Sequence, residues 1–121
     1  NIIIRLIVKD PEVQFLKSKE IIREIEEDKI QGIISILVIN EIIWILEHYY
    51  DLERDKYMPI LLQLLALKNI KIHEVKKDIV INILQKMRKK KIDFTDIYLK
   101  EAGQDIQILS FDKPKFHLKL F

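Results

Sequence analysis

Apolar and polar positions along the chain fall into short blocks that alternate between two periods. The opening block, NIIIRLIV, is apolar at nearly every position, so its period does not separate a strand from a buried helix. Asp10-Pro11-Glu12 then reads as a helix start, with Asp10 as N-cap, Pro11 in the first turn and Glu12 favourable to the dipole. Val13, Leu16, Ile21, Ile22 and Ile25 continue that helix at roughly helical spacing towards Gly32. The run GIIS predicts a short buried strand. Ser35 at its end can cap the next helix, whose apolar positions are Leu37, Ile42, Ile45 and Leu46. DLERDKYMPILLQLLALKN predicts a further helix, in which Pro59 implies a kink or a late start near Asp55. IKIHEV alternates as a strand does. Ile79, Val80, Ile83, Leu84 and Met87 mark a helix, DFTDIYLKEAG marks another that Gly103 can stop, and IQILSF is a last strand before a basic tail.

Strands separated by helices imply crossover connections and a mostly parallel sheet covered on both faces, a three-layer α/β/α arrangement. The length of 121 residues fits one domain, 1–121, with one core. No repeat or linker interrupts it. Hydrophobic residues at 49% and charged residues at 33% describe a folded globular chain. The net charge of +2 conceals 21 basic and 19 acidic residues, so only local clustering can indicate a partner. The absence of Cys excludes a disulfide framework and a zinc–thiolate site, and suits a cytoplasmic location. The apolar runs are too short to cross a bilayer, so no membrane partner is expected.

In parallel sheets ligands bind at the carboxyl ends of the strands, so the chemistry is sought there. With Gly32 and Gly103 as the only glycines, neither a P-loop nor a dinucleotide fingerprint can form. Ser18, Ser35 and Ser110 lie in no nucleophile elbow, and His48, His73 and His117 are scattered. Carboxylates remain. Glu41 interrupts the apolar LVINEIIWIL; it either faces solvent on one helical stripe or is an acid that needs a partner or a metal. Asp93 and Asp96, at i and i+3, share a helical face. Asp93 suits an N-cap, and Asp96 suits either the first turn or a ligand role. Asp112 follows IQILSF, at the carboxyl end of a predicted strand, where it can also simply start a turn. Brought together, Glu41, Asp96 and Asp112 would repel one another unless a cation held them. An all-oxygen donor set favours Mg²⁺ or Mn²⁺ over zinc. The basic run Lys86, Arg88, Lys89, Lys90 and Lys91 precedes the Asp93 motif, and Lys113 follows Asp112. These residues can hold RNA phosphates or simply be a solvated helix end. Trp44, Tyr49 and Tyr50 can stack on bases, or serve as core or as a dimer contact.

The order NIIIRL, SILVINEIIWILEHYY, KKIDFTDIYLKEA, ILSFDKPKF resembles the PIN domain, and in particular the VapC-type toxin ribonucleases. The resemblance covers nearly the whole chain. It implies that Glu41, Asp96 and Asp112 are metal ligands and catalytic acids, with Asn1, Asp93 and Ser110 supporting them. It also implies hydrolysis of RNA phosphodiesters with Mg²⁺ or Mn²⁺, an antitoxin protein as partner and a homodimer. The family's sheet begins with a central strand ending Asp-x-Asn, and Asn1 matches that Asn. On this resemblance NIIIRLIV is a helix, and a native strand of about six to eight residues carrying one more acid is expected before Asn1. The spacing from Asp96 to Asp112 is slightly shorter than the family's. Without the first acid, the chain would be an inactive PIN-like module that binds RNA or protein.

Overall fold

A computed structural model describes residues 2–102 of the chain. The order is α1 (Ile2–Val8), α2 (Glu12–Glu26), β1 (Gly32–Ile34), α3 (Ile36–Trp44) and a π-helical turn (Ile45–Tyr49), followed by α4 (Arg54–Leu65), β2 (Ile70–Ile72), α5 (Lys77–Lys89) and α6 (Phe94–Ala102). Asn1, Ser110, Asp112, Lys113 and the predicted strand IQILSF lie outside the described residues.

The opening block is a helix. Ile3, Ile4 and Ile7 turn one face inward, and α1 packs on α2 and α4. That burial overrides the β preference of a run of isoleucines. Helix α2 starts one residue later than its sequence suggests: Pro11, in an extended conformation, takes the N-cap position expected of Asp10. Its inward face is also narrower. Ile25 is buried and Ile21 and Ile22 are half-buried, whereas Val13 and Leu16 are exposed.

The described residues are mostly helical and carry one small sheet, β1 beside β2 in parallel, with Gly32 opposite Ile70 and Ile34 opposite Ile72. Gly32 sits where α2 returns to the sheet. A side chain there would come within 3.3 Å of Ile25 Cδ1, so the close approach favours glycine. The crossover between the strands contains α3, the π-helical turn and α4. Pro59 lies midway along α4, and its missing N–H removes one bond, the one that would reach the Asp55 carbonyl. One hydrophobic core joins α1, α3, α4, α5 and α6 through Ile39, Ile42, Leu46, Tyr57, Met58, Leu61, Leu84 and Ile97.

The start of α3 is fixed twice. Ser35 Oγ accepts from Leu37 N at 3.1 Å, as its position before an apolar run predicts. The same hydroxyl donates to Glu74 Oε2 at 2.5 Å, and Ile36 N donates to Glu74 Oε1 at 3.0 Å. The segment after β2 therefore anchors the helix that follows β1. The Ser35 hydroxyl, and after it the Ile36 amide, hold the Glu74 carboxyl below its ordinary value. An acid held low contributes stability that is present above its unfolded pKa, about 4.5, and lost as pH falls through the lower folded value. Wild type should therefore be more stable than Glu74→Gln at about pH 6, and the difference in urea midpoint should shrink towards about pH 3. A difference that stays constant over that range would contradict this cap.

Candidate nucleic-acid and metal site

The link between α5 and α6 is held by one side chain from another helix. Arg54, at the first position of α4, donates from Nη1 to the carbonyls of Met87 at 3.2 Å, Lys90 at 3.1 Å and Ile92 at 2.8 Å. Its Nε donates to Glu47 Oε2 at 2.8 Å, and its Nη2 lies 3.6 Å from Asp93 Oδ1. The last carbonyls of a helix have no intrahelical partner, so a cation placed there satisfies them and complements the dipole. Glu47, from the π-helical turn, also accepts from the Tyr57 hydroxyl. Tyr57 is fully buried; burial first, and then the Glu47 carboxylate, push its hydroxyl well above the ordinary tyrosine range. It stays a neutral donor.

Around this junction lie two adjoining hollows. The first, of about 670 Å³, is lined from α3 by Asn40 and Trp44, from the turn by Glu47 and His48, and from the start of α6 by Asp93 and Asp96. The second, of about 770 Å³, carries Arg88, Lys89, Lys90 and Lys91 together with His48 and the acids Glu47, Glu53, Asp55 and Asp93. Both contain Arg54. The basic run and the acidic motif thus face one continuous depression, an arrangement suited to an anionic chain passing over carboxylates.

The expected site residues divide. Asp96 is half-buried on the first turn of α6 and lines the first hollow. Asp93 immediately precedes α6, its carbonyl accepts from Ile97 N at 3.2 Å, and its side chain is 71% exposed. Its ion pair with Arg54 is therefore strongly screened by water. Glu41 is exposed on α3 and is not among the residues lining the hollow, although its neighbour Asn40 is. Facing water, Glu41 needs no cation to be stable there. Among the described residues no three His, Asp or Glu side chains sit close enough to hold a metal ion. The carboxylates of Asp93 and Asp96 and the amide oxygen of Asn40 are hard-cation donors in type, but they fall short of a metal site in number. Asp112, expected to complete the set, lies outside the described residues.

Glu47, Arg54 and His48 line the depression without having been expected there. Asn40, Trp44 and Glu47 do carry a sequence signal, recurring at helical spacing from the apolar block. Arg54 carries none, because its partners lie 7 to 39 residues away.

A model of the PIN domain family matches residues 1–113. The chain belongs to the PIN domain family. PIN domains are generally nucleases, and the family fold is α/β/α. The match extends past Asp112 and covers every acid discussed above. No curated protein and no solved structure matches the chain. Among the described residues of this PIN domain no helix is long and apolar enough to cross a membrane.

If Arg54 organises this site, its loss should be felt as stability. Arg54→Ala leaves Glu47 half-buried without its cation and removes a donor from three carbonyls, of which Lys90 O still accepts from Ile92 N at 2.9 Å. It should lower unfolding free energy by about 2–4 kcal/mol in denaturant melts. Arg54→Lys, which cannot span the same fork, should recover only part of that loss.

Proposed function

We propose that this PIN domain is an Mg²⁺- or Mn²⁺-dependent endoribonuclease, and that it acts as the toxin of a toxin–antitoxin pair in the manner of VapC proteins. The observation that carries the reading is the meeting of the acidic motif, Asp93 and Asp96, with the basic run Arg88–Lys91 around one depression. The family match supplies the nuclease class. On this reading residues 1–121 form one domain with the family's three-layer α/β/α arrangement, to which IQILSF adds a strand. Asp96 and Asp112 hold the ion, and Glu41 is a ligand or orients water at its edge. Asn1 and Ser110 support the ligands, and Asp93 mainly caps α6. A bound Mg²⁺ or Mn²⁺ would supply activated water and offset the charge developing on the phosphate. Arg88, Lys89, Lys90, Lys91 and Lys113 hold the RNA backbone, which makes binding sensitive to salt. An antitoxin protein, a homodimer and a cytoplasmic location complete the proposal.

A second reading, a PIN module that binds RNA or protein without cleaving it, is favoured by the solvent-facing Glu41. The two readings separate at Asp96. Asp96→Asn should abolish Mn²⁺-dependent cleavage of a single-stranded RNA while leaving the thermal melt unchanged, because the substitution keeps shape and removes one ligand charge. Asp93→Asn should cost much less, since Asn caps helices as well as Asp does. Equal loss at both positions would contradict this division of roles. Metal-independent RNA binding with no cleavage by wild type would establish the second reading.

A further inference from the structure

Trp44 is the chain's one tryptophan, and it is 59% exposed at the end of α3. Exposing that much aromatic surface forgoes the burial that a tryptophan ring usually gains. The ring lies beside the imidazole of His48, centroids 5.0 Å apart and planes 36° from parallel. Both rings border the hollow that contains Asp93 and Asp96, and His48 also borders the hollow that contains Arg88–Lys91. We infer that Trp44 and His48 form a stacking platform for an unpaired base of single-stranded RNA, placed beside the acidic motif while the basic run holds the adjoining phosphates. The inference rests on the RNA-cleaving reading above and gives it a base-binding subsite.

Single-stranded nucleic acid is bound by this combination: a positive groove that follows the backbone, and exposed aromatic rings that take the bases. With Trp44 59% exposed and only His48 as a ring neighbour among the described residues, the indole keeps surface on which a base can lie. A second copy of the chain is the rival occupant of the same surface. The run Arg88–Lys91 on its border favours the polyanion, whose phosphates it can pair, while the acids Glu47, Glu53, Asp55 and Asp93 on the same border leave self-association to the test below. Tyr49, although 76% exposed, does not line either hollow and is no part of the platform.

Trp44 is its own reporter. The test titrates the full chain, in EDTA, with a 2′-O-methyl oligoribonucleotide of about ten nucleotides, a length matched to common single-strand site sizes. Trp44 emission should be quenched in parallel with binding. Trp44→Ala should weaken binding by about 5- to 150-fold, the range that one base–aromatic stack contributes, and Trp44→Phe should weaken it less. An abasic substitution in the oligonucleotide should cost wild type a similar factor at one position and cost Trp44→Ala nothing there. Undiminished binding by Trp44→Ala with no quenching in wild type would overturn the platform. So would emission that shifts with protein concentration and not with RNA, the mark of self-association. Mn²⁺-dependent cleavage, measured in parallel, separates the two levels. Cleavage without quenching defeats the platform alone, and quenching without cleavage upholds the platform while defeating the nuclease reading.

Discussion

The Arg54 guanidinium is the constraint on which the rest of this site depends. The α5–α6 link must turn sharply, and its carbonyls at Met87, Lys90 and Ile92 are left without helical partners. One planar, permanently charged fork satisfies all three, and the Glu47 carboxylate balances its charge from the far side. The link carries the basic run on one side and Asp93 and Asp96 on the other. Arg54 therefore ties the link between the basic run and Asp93 and Asp96 to α4 and the π-helical turn. The π-helical turn is part of the same device, because it aims Glu47 at Arg54 while Leu46 stays fully buried.

Much of this architecture was legible because it is local. GII and the first half of IKIHEV are strands, although Ile33 is exposed where burial was expected; Ser35 caps α3, and a helix follows Asp93, each for reasons contained within a few residues. The opening block was legible only through the family resemblance, since a run of isoleucines has no period to read and tertiary burial of Ile3, Ile4 and Ile7 decides it. The exposure of Val13 and Leu16 marks the opposite limit: helical spacing shows that a face exists, and the neighbours decide how much of it is covered. In the site, Asp93 and Asp96 were visible as a motif and Glu47 through its helical spacing from Asn40 and Trp44, whereas Arg54 was not. A lone arginine at a helix start reads as solvated charge until chain segments more than thirty residues away are brought beside it.

The electrostatics of the depression explain why acids and bases can share it. Asp93 and Asp96 sit at a helix N-terminus, where the dipole favours negative charge, and the basic run occupies the C-terminus of the preceding helix, where it favours positive charge. Head-to-tail helices joined by a short link therefore place opposite charges side by side with little strain. A polyanion crossing the link meets attraction on one side and repulsion on the other. That repulsion is relieved once a cation sits at Asp96, so metal and RNA should each favour binding of the other.

The most direct test of this account is paramagnetic broadening of backbone amide signals by substoichiometric Mn²⁺. The account predicts selective loss of signal at residues 93–97 and at Asn40, sparing the exposed acids Glu20, Glu26 and Glu27 of α2 and its C-cap, and abolished by Asp96→Asn in a folded protein. Broadening centred on α2, or none at the depression, would contradict it.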